Sequence, residues 1–429
     1  MERSSPVGAA AVTAGASGER ARARYEVADV VRAHGEEYLR THPTSAEQRQ
    51  VLRAIATCRT AALGGHVEQC EACSYQRIAY NSCRNRHCPK CQGKERAQWM
   101  AAEQAMLLPV PYFHVVFTLP HALNPLIRVN RRRLYGLLFR VVARTLHTFA
   151  RDPRHLGAEP AITMVLHTWG QTLEEHYHVH CVVSGGGLSL DGRSWVSLPE
   201  GKKKPRRPFL FDVTALSRVF RGKFSAGLQR ARRRGTLRYC GQSAALAEPG
   251  PWEELMTALW QQDWVVYAKA PFGGPAHVLK YLSRYTHRVA ISNQRLLSVA
   301  NGVVRFEYHD YAAAEARKEL PLPATEFLRR FLLHVVPKGF MRIRHYGLTA
   351  NRHRDHKLQR CRELLGGAPP VPTTLDLTTQ AGAADTAHTA VDSPAQVCPN
   401  CGAPLRIIES LPAPPGDPLT PAVAALDTS

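Results

Sequence analysis

Two pairs of side chains in this sequence have the types and spacing for chemistry on a phosphodiester. They are His178-Val179-His180 and, about a hundred residues later, Tyr281-Leu-Ser-Arg-Tyr285. On a β-strand, residues two apart point to the same face roughly 7 Å apart, so His178 and His180 can grip one cation while Val179 faces the core. On a helix, residues four apart stack one turn above each other, so Tyr281 and Tyr285 would offer two phenolic oxygens to one site. Together the pairs point to strand cleavage through a phosphotyrosine link. Either motif alone is ordinary, a pair of satisfied strand histidines or an aromatic helix stripe. Candidates for a third ligand are His167 on the preceding strand, then His176, which shares strand parity with the pair, and Gln171 and Glu174. Lys280, Arg284 and Arg288 recur every four residues beside the tyrosines, a cationic stripe suited to seating phosphates.

Six of the 11 cysteines crowd into Cys58 to Cys91. Cys70-x-x-Cys73 and Cys88-Pro-Lys-Cys91, with fourteen residues between them, supply four thiolates at the spacing of a tetrahedral zinc ribbon. Cys58, His66, Cys83 and His87 are left as a second, Cys2His2 set, because a segment of about 35 residues has little core and gains from a second staple. Arg84 and Arg86, with Lys90, Lys94 and Arg96 following, give this module a basic face for DNA. Cys398-Pro-Asn-Cys401 has no matching pair downstream and reads as an unpaired half of a zinc knuckle, whose missing ligands would come from Cys361, a nearby histidine or another chain. Cys181 and Cys240 are isolated and are expected to be small core residues.

The elements that must position these groups follow from periodicity. Val27, Val30, Val31, Tyr38 and Leu39 predict one or two helices between Tyr25 and Glu47, and a further helix runs through Ala97 to Leu108. Phe113 to Leu119 is a predicted strand ended by Pro120, and Asn130 to Phe149 an amphipathic helix. Ala161 to His167 and Tyr177 to Val183 lie about ten residues apart, as neighbouring strands of one sheet would. Asp191-Gly192 and Asn301-Gly302 mark hairpin turns; Asp263 to Lys269 and Val303 to Tyr308 are further strands. With no dinucleotide or P-loop glycine motif among them, these elements predict an α+β fold on an antiparallel sheet.

At 429 residues the chain is long enough for two or three domains of ~150 residues. Lys and Arg number 56 against 35 Asp and Glu, a net charge of +21 that favours a polyanionic partner. Further basic clusters, Lys202 to Lys204 with Arg206 and Arg207, Arg230 to Arg234, and Arg342 to Arg354 around Tyr346, could track single-stranded DNA. No uncharged apolar run reaches the ~18 residues of a membrane span. Ser4 to Gly18 lacks the leucine-rich core of a secretory signal and reads as a disordered leader, so the thiols are expected to be reduced.

Three runs, in order, carry a resemblance: Ser82-Cys-Arg-Asn-Arg-His-Cys-Pro-Lys-Cys91; His167-Thr-Trp-Gly-Gln171 leading to His178-Val-His180; and Lys280-Tyr-Leu-Ser-Arg-Tyr-Thr-His-Arg-Val-Ala-Ile-Ser292. In combination the chain resembles the two-tyrosine HUH transposases of rolling-circle insertion sequences, the IS-ninety-one family. The resemblance implies a HUH nuclease domain with a ferredoxin/RRM-like core at 105–365. Before it come a leader at 1–24 and a helical, zinc-ribbon DNA-binding domain at 25–100; after it come a flexible linker at 366–395 and a tail at 396–429. It implies Tyr281 and Tyr285 as nucleophiles, Mg²⁺ or Mn²⁺ at His178 and His180 with His167, and structural Zn²⁺. The implied partner is DNA, mainly single-stranded ends of the element and target, in the bacterial cytoplasm on the nucleoid, and a homo-oligomer is compatible with it. Energy kept in a phosphotyrosine makes nucleotide triphosphate unnecessary, in agreement with the missing G-x-x-x-x-G-K-[ST]. Two other functions compete: a rolling-circle replication initiator or relaxase with the same chemistry, and a non-catalytic zinc-dependent nucleic-acid-binding protein whose tyrosines only pack.

Overall fold

The computed structural model describes residues 23–198, 211–269, 290–310, 316–367 and 397–414. The leader to residue 22, the run Lys202 to Arg207, the stretch that holds Lys280, Tyr281, Arg284, Tyr285 and Arg288, nearly all of the 366–395 linker and the end of the tail lie outside them.

Val27, Val30, Val31 and Tyr38 bury one face of α1 (Val27–Thr41). α2 (Ala46–Thr57) starts behind a capping box in which the Ser45 hydroxyl accepts the Gln48 N–H and the Gln48 side chain accepts the Ser45 N–H. A hairpin of β1 (Gly65–Cys70) and β2 (Gln76–Tyr80) precedes α3 (Gly93–Met106), which begins four residues before the expected start. Then come β3 (Tyr112–Thr118), α4 (Asn124–Val129), α5 (Arg131–Ala150), β4 (Ala158–Trp169), β5 (Glu175–Ser189) and β6 (Trp195–Ser197). α6 (Val213–Arg233), α7 (Pro249–Gln261) and β7 (Val266–Lys269) follow. β8 (Leu296–Ala300), β9 (Val303–Asp310), β10 (Ala316–Pro323), α8 (Ala324–Leu333), β11 (Ile343–Gly347), α9 (Arg354–Leu364) and β12 (Leu405–Leu411) complete the described elements. α6 and α7 were not among the predicted elements, although Leu216, Phe220, Phe224 and Leu228 recur every four residues. No helix among the described residues is long and apolar enough to cross a membrane.

The central sheet is antiparallel, in the order β11-β4-β5-β3-β7 with β6 added to β5, so the expected neighbours β4 and β5 do pair. Strand alternation divides it into two faces. Tyr177, Val179, Cys181 and Val183 of β5 and Phe113, Val115 and Phe117 of β3 join one core with Leu138, Phe139 and Val142 of α5 and Phe220, Phe224 and Leu228 of α6. The opposite face carries His178, His180 and Val182. One end of it is covered by Leu108, Leu348, Leu358 and Cys361; the other end carries the histidines. A separate core joins α1 and α2 to β8, β9 and α8 through Val30, Leu52, Phe306, Phe327 and Phe331, and takes in Ala290 and Ile291. The Asn301-Gly302 turn forms as expected between β8 and β9, both residues at positive φ.

Candidate functional site

His178 and His180 stand on β5, with His167 directly opposite His178 on β4. One ligand nitrogen from each of the three lies within 4.8 Å of the others, close enough for one cation. Their ring centroids are 4.2 to 5.2 Å apart, and Trp169 stacks on the outer side of His167 at 4.8 Å. Of the candidates for a third ligand, the structure brings His167 to the pair. His176, although its ring lies 4.8 Å from that of His178, has its Nδ1 3.0 Å from His121 Nε2, and Glu174 pairs with Arg330.

Burial sets the protonation of the trio. It holds His178 down at about 3, with His176 adding to the shift, and it holds His167 and His180 well below the ordinary imidazole value, helped at His167 by His178 and Arg342 and at His180 by His167 and His178. All three are therefore neutral at physiological pH, as imidazole ligands must be. His178 Nδ1 donates to the His176 carbonyl at 2.8 Å, which fixes its tautomer and leaves Nε2 with a lone pair. His180 Nδ1 lies 2.8 Å from Nε2 of His114 on β3. The donor set thus fits a divalent cation, with positions left over for water and phosphate oxygens. His114 was not among the predicted site residues; a histidine inside the apolar run Phe113 to Leu119 was the available signal, whereas Arg342, expected in a basic cluster along single-stranded DNA, is buried.

The cysteines group differently from the spacing rule. Cys88 and Cys91 do not join Cys70 and Cys73: they cluster with Cys58 and Cys83, while Cys70 and Cys73 lie with Cys398 and Cys401. The hairpin explains the difference. Cys70 and Cys73 sit at its tip and Cys83 follows its base, where Gly65 pairs with Tyr80, and five or six strand residues at ~3.3 Å each separate the ends by about 17 Å. The expected Cys2His2 set fails because its histidines are engaged elsewhere. His66 bonds Glu68 at 3.0 Å; His87 donates from Nδ1 to Asn85 and accepts the Val336 N–H on Nε2. Nor is the C-terminal Cys-x-x-Cys unpaired. Both tetrathiolate clusters suit structural zinc. Cys181 is a core residue as expected, whereas Cys240 is exposed.

Among the basic residues of this module, Arg84 is exposed at a φ of 48°. Arg86 is half-buried and donates to the Phe340 carbonyl at 2.8 Å, so it joins the module to the central sheet.

Two families match the chain: residues 30–119 match one described as a transposase zinc-binding domain, and residues 161–357 one described as "Putative transposase". The "Putative transposase y4qJ" of Sinorhizobium fredii is 50% identical over 354 residues, 82% of this chain and 87% of that protein. The "Transposase for insertion sequence element IS801" of Pseudomonas savastanoi pv. phaseolicola is 31% identical over 327 residues, 76% of this chain and 75% of that one. No solved structure matches. With the zinc-binding region and the transposase region both matched, in this order, the chain belongs to the IS-ninety-one family of transposases with an N-terminal zinc-binding domain.

Proposed function

We propose that this transposase nicks and rejoins single-stranded DNA through a 5′-phosphotyrosine intermediate, moving its insertion sequence by a rolling-circle-like route. The observation that carries the proposal is the convergence of three neutral imidazoles, His167, His178 and His180, on one face of the sheet. These three would hold Mg²⁺ or Mn²⁺, which when bound polarises a non-bridging phosphate oxygen and offsets charge at phosphorus. Assignment of the sheet to a HUH nuclease core of ferredoxin/RRM type is part of the same proposal, supported by the β4-β5-β3 centre with helices packed on its other face.

Tyr281 or Tyr285 is the nucleophile. Its oxygen forms a bond to phosphorus, its proton is lost, and the departing deoxyribose oxygen takes up a proton as a free 3′-OH. Rejoining runs the exchange backwards, so no nucleotide triphosphate is consumed. The second tyrosine lets one end be held while another is cut. Two tyrosines in the segment that follows β7, an edge strand of the histidine-bearing sheet, are consistent with this role. Lys280, Arg284 and Arg288 would seat the phosphates of the cut strand, and Arg84 would add contacts from the zinc-binding module.

Incubating the protein with single-stranded oligonucleotides spanning its element's ends, with Mg²⁺ or Mn²⁺, should yield a DNA-protein adduct on a denaturing gel. Tyr281→Phe with Tyr285→Phe should abolish it, and His178→Ala should slow it by about 100-fold or more, while DNA affinity stays unchanged. DNA binding without an adduct at any candidate end overturns the proposal.

A further inference from the structure

The three-stranded sheet of the zinc-binding module is completed by the far end of the chain. β12 runs antiparallel to β1 from Gly65 opposite Leu411 to Cys70 opposite Leu405. Gly64 is fitted to this approach: its φ is +65°, and a Cβ there would lie 2.5 Å from the Leu411 carbonyl oxygen. Yet β12 buries little. Arg406 to Ser410 are exposed, Ile407 at 64%, so apolar burial cannot be what holds the strand.

Two turns of the same construction meet beside it. In Cys70-Glu-Ala-Cys73 and Cys398-Pro-Asn-Cys401, the first cysteine's N–H donates to a carbonyl five residues on, Tyr75 and Ala403, at 2.8 Å in both. The N–H two residues on, of Ala72 and Asn400, donates to the first cysteine's Sγ at 3.4 Å in both. The residue after the second cysteine takes positive φ in both, Ser74 at 57° and Gly402 at 76°. The turns face each other: Cys70 and Cys401 Sγ atoms are 3.4 Å apart, and Cys73 Sγ is 3.5 Å from those of both Cys398 and Cys401. A tetrahedral zinc at ~2.3 Å from each sulfur has sulfur-sulfur edges of about 3.8 Å, whereas a disulfide needs ~2.05 Å.

We infer that Cys70, Cys73, Cys398 and Cys401 hold a structural zinc of their own, separate from an ion on Cys58, Cys83, Cys88 and Cys91, and that it fastens β12 to the hairpin. Four thiols give up four protons to solvent as Zn²⁺ enters, and the Ala72 and Asn400 amides stabilise the thiolate charge. An all-sulfur donor set selects zinc over the hard cations suited to the histidine site.

Cobalt(II) exchanged into the full-length protein tests this, because thiolate-to-cobalt charge-transfer absorbance counts sulfur ligands and ignores an ion on histidines. The wild type should show the absorbance of two tetrathiolate sites. Cys398→Ser with Cys401→Ser should halve it and open the bond after Arg406 to trypsin. A wild type with the absorbance of one site overturns the inference, as does an unchanged double variant or an unreduced mass lowered by the hydrogens of two disulfides. Should the double variant fail to fold, the wild-type absorbance still decides.

Discussion

Two of the three site histidines are oriented by hydrogen bonds on the nitrogen facing away from the proposed ion: His178 by the His176 carbonyl, His180 by His114. The cost of charging them in so buried a place makes the trio resistant to acid. For His178 the folded value, about 3, lies below the free imidazole value, so the stability of its neutral form is present above about 6.5 and is lost only as the pH falls toward 3. Mn²⁺ affinity should therefore change only a few-fold between about pH 7.5 and about pH 5.5, whereas three unperturbed imidazoles would lose roughly a thousandfold over that range. Titration followed by the resonance signal of free Mn²⁺ makes the comparison. A loss near a thousandfold would show that burial does not control the site.

The sheet's second face owes part of its pH dependence to one helix. Glu103 of α3 lies over β4 and β11, bonded by the Thr163 hydroxyl at 3.3 Å and 3.4 Å from His345 Nε2. Burial lifts its carboxyl to about 7. A raised value means that the stability of the protonated form is fully present below about 4.5 and is lost as the pH rises through about 7. Glu103→Gln should accordingly gain on the wild type by roughly 2–3 kcal/mol between about pH 5 and about pH 8 in denaturant unfolding; a difference that does not move with pH removes the explanation. Much of this layer was legible in the sequence: α1, α5, β3, β4 and β5 fall where helical spacing or a run of strand-forming apolar residues predicted them, whereas α2 lies almost wholly beyond the 25–47 stretch in which helices were expected. Other parts were not. β10, with Pro321 and Pro323, is an edge strand held by pairing to β9, and β12 has almost no buried side chain to give it a pattern. The cysteine partners were hidden for a related reason. Spacing along the chain cannot show that a hairpin carries Cys70 and Cys73 away from Cys88 and Cys91, nor that a strand more than 300 residues later returns to them. The convergence of His167 with His178 and His180 was within reach, because it follows from two adjacent strands; the tyrosines lie outside the described residues, so their approach to the site stays a proposal.

At the scale of the whole molecule, the zinc-binding module and the central sheet are joined through shared packing. α1 and α2 share a core with α8 and β9, Arg86 bonds Phe340, and the Val336 N–H bonds His87. A strand bound to the module, as proposed above, would be carried at a fixed relation to the histidine face. With a net charge of +21, binding should be dominated by phosphate contacts. Anisotropy of a labelled single strand should report an affinity that falls roughly a hundredfold between about 50 and 200 mM salt, as four to six contacts would require, and a salt-independent affinity would exclude a phosphate-tracking surface. The pairing of β12 with β1 also bears on the order in which the molecule can be finished. The β1-β2 hairpin alone is a two-stranded ribbon, marginal in water, and Cys401 is synthesised 331 positions after its partner Cys70. At ~5–20 residues per second the ribosome needs roughly 15 to 70 seconds to cover that distance. The Cys58 to Cys91 cluster can close early in translation while the hairpin tip waits, so a message cut short would release a transposase with that tip still open.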